Sequence, residues 1–414
     1  MNTDKLKKQF IQNLIYNILG SILLTGTVQA VLYPLLAASM SKEDFGVAIF
    51  LLGLANLFTA IFGCSLHDCR LKLHQEYIQK NTAGDYSLLF YIGAAANIAA
   101  VIVFSKLYYN EIAVPDLVML GAISLFSYLK LYFSVHFRLI FDFKKIFVLS
   151  LICAAGYLLG AFLANRLGIW QLSFLFGEFA GAAYVFFTSP IAKERPKATE
   201  LFHTTSNIYL SLIFMQLLFN IPLYADKMLI YPILGADDLA VYNTASFFGK
   251  TLGAVSTPIS TVLLSHYSRE KNITLKGFWT INALIFAVSI LLIGISQILA
   301  APVTGIFYPT IICPSVPFLF LANTAVIIFY AAGLIYPAIL RFCSVKYQLV
   351  VQSITVAIYI SLSVVLTNRY ALAGFCYAML ITNILYLLML LVLGSASIQK
   401  QQIKIADDTA QENP

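Results

Sequence analysis

Six ionisable side chains stand in or beside long apolar runs of this chain: Lys130, Arg138, Glu178, Asp226, Lys227 and Lys250. An ionised group at bilayer depth costs about 2.5–3.5 kcal/mol on insertion scales, so it normally faces water, a polar partner or a ligand. The spacing around these charges is helical. Gln216, Asn220, Leu223 and Lys227 recur at i, i+4, i+7 and i+11, on one helical face. Asn243, Ser246, Lys250 and Thr257 share a second face, Ser127, Lys130, Ser134 and Arg138 a third, and Asn56, Thr59 and Gly63 a fourth. Ammonium, amide and hydroxyl groups on such stripes can line a polar path through an apolar body.

Each stripe also has a plainer explanation. Polar side chains bond neighbouring membrane helices, at about 0.6 kcal/mol each. That accounts for most of the Ser, Thr and Asn, and less well for the lysines. Lys130, Lys227 and Lys250 are therefore read as cavity-lining, together with Asn56, Gln216, Asn220 and Asn243. Arg138 serves either the cavity or the cytoplasmic end of its helix, where a positive anchor is favoured. Asp226 either neutralises a nearby lysine or couples an ion. Glu178 has no evident partner in the sequence and is a candidate protonation site.

Other chemistries fail on spacing. Gly249-Lys250-Thr251 resembles the end of a phosphate-binding loop, but the glycine required five residues before Gly249 is Thr244. Cys64, Cys69, Cys153, Cys313, Cys343 and Cys376 form no CxxC and accompany no His cluster, so no metal centre or disulfide framework is expected. No Ser/His/Asp or paired-carboxylate arrangement suggests an enzyme, no cofactor is implied, and the net charge of +7 reports topology rather than nucleic-acid binding.

The elements that position these residues are membrane helices. The 414 residues are 60% hydrophobic and 11% charged, against about 25% charged in soluble domains. A helix needs about 20 residues to cross the hydrocarbon core, and only helices and closed barrels satisfy the backbone in lipid. Twelve segments qualify: 10–38, 45–66, 87–105, 114–137, 146–165, 169–189, 207–234, 238–264, 277–299, 312–336, 347–366 and 370–394. The fold expected is an all-α integral membrane protein with about twelve transmembrane helices in two six-helix bundles. Residues 1–192 form an N-terminal lobe, 193–206 a polar cytoplasmic linker, 207–398 a C-terminal lobe and 399–414 a cytoplasmic tail.

The basic residues test that count. Of 26 Lys and Arg, 19 fall on alternate loops beginning with the N-terminus. Only Lys42, Lys106, Arg166 and Arg369 fall on the opposite loops, and Lys130, Lys227 and Lys250 lie inside spans. By the positive-inside rule both termini are cytoplasmic. A weak repeat supports two halves: Leu32-Tyr33-Pro34-Leu35-Leu36 closes span one, and Ile230-Tyr231-Pro232-Ile233-Leu234 closes span seven, each before a short acidic turn. The halves start on the same side, as parallel repeats related by an axis along the membrane normal do. Gly156/Gly160, Gly177/Gly181 and Gly249/Gly253 mark close helix contacts. Pro222 lies within an apolar run longer than the bilayer core, which calls for a kinked or tilted span seven.

Two six-helix halves, LYPLL…FGVAIFL near the start, and YADKMLIYPILGADDLAVYNTASFFGKTLGAVSTPIS in the centre resemble the polysaccharide-biosynthesis flippases, the Wzx-type O-antigen translocases of the MATE-like superfamily. The resemblance implies a multi-pass protein of the bacterial inner membrane. It would move an undecaprenyl-diphosphate-linked oligosaccharide, an O-antigen or capsule repeat unit, from the cytoplasmic to the periplasmic leaflet by alternating access. A cationic cavity would offset the diphosphate, while amides, hydroxyls and some of the 24 tyrosines would meet sugar hydroxyls. The expected partners are that lipid-linked glycan and the lipid bilayer, with H+ or Na+ as candidate coupling ions and a glycan polymerase as a candidate protein partner. A MATE-type small-molecule exporter is the nearer alternative, although cationic drugs would prefer a carboxylate-dominated cavity. A membrane polymerase or ligase of lipid-linked sugars is the more distant one, because the outer loops here are short.

Overall fold

The computed structural model describes the backbone of residues 3–80, 82–253, 255–269 and 273–412, and all regular structure among them is helical. The first two residues and the last two of the tail lie outside the described residues. Nine helices are long and apolar enough to cross a membrane among the described residues. The chain is a multi-pass, all-helical membrane protein, as the composition requires.

Span one is α1 (Thr3–Thr27), a π-helical turn at Val28–Leu32, and α2 (Tyr33–Ser39). The wide turn precedes Pro34, whose ring nitrogen cannot donate to the carbonyl four residues back. A local change of helical pitch accommodates that loss. Ser41 caps the next helix by accepting from Asp44 N. That helix, α3 (Lys42–Thr59), passes through a second π-helical turn, Ala60–Cys64, into α4 (Ser65–Gln79). Span two thus runs past the sequence-based end near residue 66, and the stretch around Arg70 is helix rather than loop.

The first unit continues through α5 (Gly84–Tyr108), α6 (Val114–Phe133), the short α7 (Val135–Leu139), α8 (Phe143–Leu167), α9 (Leu172–Thr188) and α10 (Phe202–Leu234). Asp142 caps α8, and Gly168 closes it in the left-handed region (φ 70°). The α8–α9 contact is built on glycines. A Cβ on Gly156 would lie 2.7 Å from Phe176 O, and one on Gly160 would strike Leu172 O. Gly177 faces the Tyr157 ring, and Gly181 faces Cys153 and the Lys130 stem. Backbones this close give dispersion contact without a hydrophobic drive, which lipid does not supply. The seventh span, α10, is an unbroken 33-residue helix holding both Pro222 and Pro232. It packs on α3, α4 and the π turn between them.

The compact units divide at Met1–Leu239 and Ala240–Pro414. Span eight begins at the boundary and is broken into α11 (Ala236–Ala245), α12 (Phe247–Gly253) and α13 (Ser256–Arg269). In the second unit, α14 (Leu275–Phe307), a short α15 (Ile312–Ser315), α16 (Leu319–Phe342) and α17 (Val345–Glu412) follow. The long α17 holds two non-helical residues, Tyr370 and Ala371. Phe278, Ile335, Ile339, Leu387 and Leu390 form its core between α14, α16 and α17. The third glycine pair also makes a close contact. Gly249 lies over Asn323, and Gly253 lies against the Tyr330 ring on α16.

Candidate substrate-binding residues

In the first unit Lys130 and Lys227 sit in ion pairs. Lys130, in the last turn of α6, places Nζ 2.6 Å from Glu178 Oε2 on α9. Tyr157 of α8 donates its hydroxyl to the other carboxylate oxygen. Glycine at 181 leaves the room in which the Lys130 stem crosses α9, since a Cβ there would stand 2.8 Å from Lys130 Cδ. Three helices therefore meet at one buried, neutralised cluster. Glu178, which has no evident partner in the sequence, is a salt-bridge acceptor.

Asp226 and Lys227 pair with each other although adjacent on α10. Lys227 Nζ is 3.2 Å from Asp226 Oδ1, and Lys227 N donates to the same oxygen at 2.8 Å. The Lys227 stem lies across Gly53 of α3, where a Cβ would come within 3.2 Å of Lys227 Cβ and Cγ. Its ammonium stands 5.6 Å over the Tyr224 ring.

The amide stripe of α10 continues into α4. Asn220 Nδ2 donates to Gln216 Oε1 (3.1 Å), and Gln216 Nε2 donates to Asp68 Oδ2 (3.0 Å). Asp68 also holds His67 Nδ1 at 3.0 Å. Asp68 and His67 were missed by the sequence reading, because the segment after residue 66 counts as a loop when span two is given ordinary length. The signal available was the uninterrupted helical pattern through Tyr77. Arg138, at the end of α7, is exposed. Asn56 is also exposed, and stands out in α3 between buried Ala55 and Leu57.

In the second unit, Lys250 lies half-buried on α12, with Nζ 5.3 Å over the Tyr242 ring. Tyr242 is fully buried and meets Phe375 edge-on at 5.1 Å. The break before α12 leaves helix-terminal donors in need of acceptors. Gly249 N donates to Asn323 Oδ1 at 2.6 Å, which ties the lysine-bearing turn to α16. Asn243, one turn before the break, is buried, and its carbonyl accepts from Ser246 Oγ at 3.3 Å.

The 193–206 linker is a built part of the first unit. Arg70, nearly buried, makes a two-pronged pair with Glu194 and donates to Tyr132 OH at 2.8 Å, with the Tyr86 ring 4.9 Å from its guanidinium. Asp85 is fully buried and accepts from Thr199 N (2.7 Å), the Thr199 hydroxyl and Tyr77 OH (2.8 Å). No group of three or more His, Cys, Asp or Glu suited to a metal ion occurs among the described residues.

No protein-family model and no curated protein matches the chain. Solved structures do. The lipid II flippase MurJ in an inward closed conformation aligns at 16% identity over 94% of this chain and 87% of that one, with a TM-score of 0.64. An inward-facing multidrug resistance MATE family transporter of the MOP superfamily aligns at 11% identity over 94% and 95%, with a TM-score of 0.66. The Vibrio cholerae MATE transporter VcmN in the bent form aligns at 11% identity over 97% and 99%, with a TM-score of 0.58. The chain shares the MATE-like fold of these structures.

Proposed function

We propose that this protein is a flippase for an undecaprenyl-diphosphate-linked oligosaccharide, such as an O-antigen or capsule repeat unit. It works in a bacterial inner membrane with both termini in the cytoplasm. The observation that carries the reading is Lys250. It is a cation at membrane depth, held on a broken helix by the Asn323 tie and placed over an aromatic ring. Diphosphate needs such a group, because an ammonium offers charge and three donors to phosphate oxygens. From Ala240 to Ala406 the sequence holds nine Lys and Arg and one acid, Glu270. The fold shared with the lipid II flippase MurJ supports a lipid-linked cargo.

The proposed count is twelve, with α17 taken as two spans at its Tyr370–Ala371 kink and the short α9 and the broken span eight taken as spans beside the nine. The transport lobes are then 1–192 and 207–398, joined by 193–206 and followed by the 399–414 tail. Lys130 and Lys227 would reach a diphosphate only by leaving Glu178 and Asp226. Asn56, Gln216, Asn220, Asn243 and Arg138 supply amide and guanidinium donors to the headgroup. With Glu178 and Asp226 both salt-bridged, coupling to H+ or Na+ requires one pair to open.

The second reading, a MATE-type exporter of organic cations, is favoured by those two buried carboxylates. One experiment separates the two readings. In cells lacking the native gene, Lys250→Ala at normal abundance is expected to abolish surface glycan, while Lys250→Arg retains much of it. In proteoliposomes, wild type is expected to flip a fluorescent lipid-diphosphate oligosaccharide and Lys250→Ala to lose at least tenfold in rate. Full export by Lys250→Ala, with drug efflux that depends on Asp226 or Glu178, would establish the exporter instead.

A further inference from the structure

The first unit contains a cavity of about 690 Å³ that is lined by none of the candidate binding residues described above. That volume falls within the range of small-molecule sites. It lies among helix ends: Asp44 in the first turn of α3, Tyr109 just after α5, Asp116 in the first turn of α6, Asn165 near the end of α8, and Trp170 and Gln171 just before α9. The loops at this end of the unit carry Lys42, Lys106 and Arg166 as their only Lys or Arg, which makes it the outer end by the basic-residue rule.

The lining has a definite chemistry. Lys, Arg and His are absent from its described residues, while two carboxylates, two carboxamides, a phenol and an indole are present. Both carboxylates are held. Gln171, nearly buried, donates to Asp116 Oδ1 at 2.7 Å, and the Ser41 hydroxyl donates to Asp44 Oδ2 at 2.6 Å. Of the bases at this end, Arg166 stands with its guanidinium 5.1 Å over the ring of the lining residue Phe162, and two others are engaged elsewhere. Lys106 donates to the Asn110 and Ile112 carbonyls, and Lys42 pairs with Asp237 at 2.8 Å. Burial, then Glu111, Asp44, Glu43 and Asp116, push the Tyr109 phenol up, so it remains a donor at neutral pH. Such walls repel a diphosphate. A bare cation would not need the amides and the two rings, and each carboxylate already accepts from a neutral donor. A neutral polyol uses all six groups: hydroxyls bond to carboxylate and amide oxygens, and the apolar C–H face of a sugar ring lies against an indole or phenol.

We propose that this cavity is a glycan vestibule that takes neutral sugar rings of the transported oligosaccharide through Asp44, Asp116, Asn165 and Gln171, with Trp170 and Tyr109 against their apolar faces. The inference rests on the flippase reading and extends it. Charge is recognised by lysine and sugar identity by a separate, anionic surface, so a lipid diphosphate with the wrong sugar gains nothing here.

The chain has two tryptophans, Trp170 and the exposed Trp279. Full-length Trp279→Phe protein in lipid nanodiscs therefore carries a single indole, in the vestibule. It is titrated with the oligosaccharide released by mild acid from the source cells' lipid-linked pool, with neutral hexoses and N-acetylhexosamines, and with sodium and tetramethylammonium chloride. Saturable change of Trp170 emission with the released oligosaccharide, weakened at least tenfold by Asn165→Ala and by Asp116→Asn, is the expected result. Response to the cations alone, or to no probe, overturns the vestibule. A protein that flips lipid-linked glycan yet gives no sugar response loses this site and keeps the flippase reading. One that binds sugar and flips nothing does the reverse.

Discussion

Lys130 Nζ lies 2.6 Å from Glu178 Oε2, so two of the charges that stand alone in the sequence neutralise each other between α6 and α9. Both side chains are nearly buried, and Tyr157 completes the cluster. Removing one member of such a pair strands a buried charge, at about 3–5 kcal/mol, whereas removing both together is often close to neutral. Lys130→Met alone and Glu178→Gln alone are each expected to lower thermal stability in detergent sharply. The double variant is expected to regain most of the loss. Additive losses in this double-mutant cycle would show that the pair contributes no coupling.

The glycines of the α8–α9 contact give a sharper structural test. Gly160→Ala drives a Cβ into the Leu172 carbonyl, which is backbone and cannot swing away. Overpacking of this kind costs about 1–3 kcal/mol. Gly294, inside α14, has nothing within 4 Å of where its Cβ would stand. Alanine there is expected to stabilise by roughly 0.5–1 kcal/mol through helix propensity alone. Opposite signs for these two chemically identical substitutions, read as melting temperatures in one detergent, are the expected outcome.

How much of this was legible in the sequence depends on whether the information is local. Helix identity, the Gly156/Gly160 and Gly177/Gly181 contacts and the Gln216–Asn220 stripe follow from spacing, and spacing is local. The partner of Glu178 is not local: it depends on which helices become neighbours, and that is decided by packing far from either residue. Asp226 differs, since the Lys227 that pairs with it is the next residue. Asp68 and His67 escaped because span two is longer than the bilayer requires, so its extension was read as a loop. The linker escaped for the opposite reason. Its polar composition suggests solvent, yet Glu194 and Thr199 are fixed by Arg70 and Asp85 on helices the sequence gives no reason to place beside it.

That clamp makes a prediction of its own. Asp85 accepts three donors while fully buried, and two of them come from Thr199. Asp85→Asn keeps the shape but removes the charge and replaces one acceptor oxygen with a donor, at about 1–3 kcal/mol for groups left unsatisfied. The effect is expected as local opening rather than global unfolding, because Lys197 N is tied to Gly84 O next to the clamp. Trypsin reports it. Arg195 precedes Pro196 and resists cleavage, so the scissile bonds in the linker follow Lys193 and Lys197. Cleavage after Lys197 is expected to accelerate at least several-fold in Asp85→Asn and to stay near the wild-type rate in the exposed-site control Glu200→Gln. Equal rates in all three would mean that the carboxylate does not hold the linker.

The sidedness of the chain is the remaining expectation open to direct test, and the structure decides which probes are safe. Thr199 is unsuitable for a cysteine because its hydroxyl and N–H both serve Asp85, and Asp237 is paired with Lys42. Ala198 and Glu111 are exposed and form none of those contacts. They lie on loops of opposite type: the Ala198 segment carries Lys193, Arg195 and Lys197, while the Glu111 loop has Lys106 alone. The six native cysteines, of which Cys313 is exposed, are first replaced by alanine or serine. In intact cells a membrane-impermeant maleimide is expected to label Glu111→Cys and to leave Ala198→Cys untouched until the membrane is opened. Labelling of both sites from outside would break the alternation of basic loops. Labelling of Ala198→Cys alone from outside would invert the chain, and would turn the end that holds the Asp44–Asp116 cavity toward the cytoplasm.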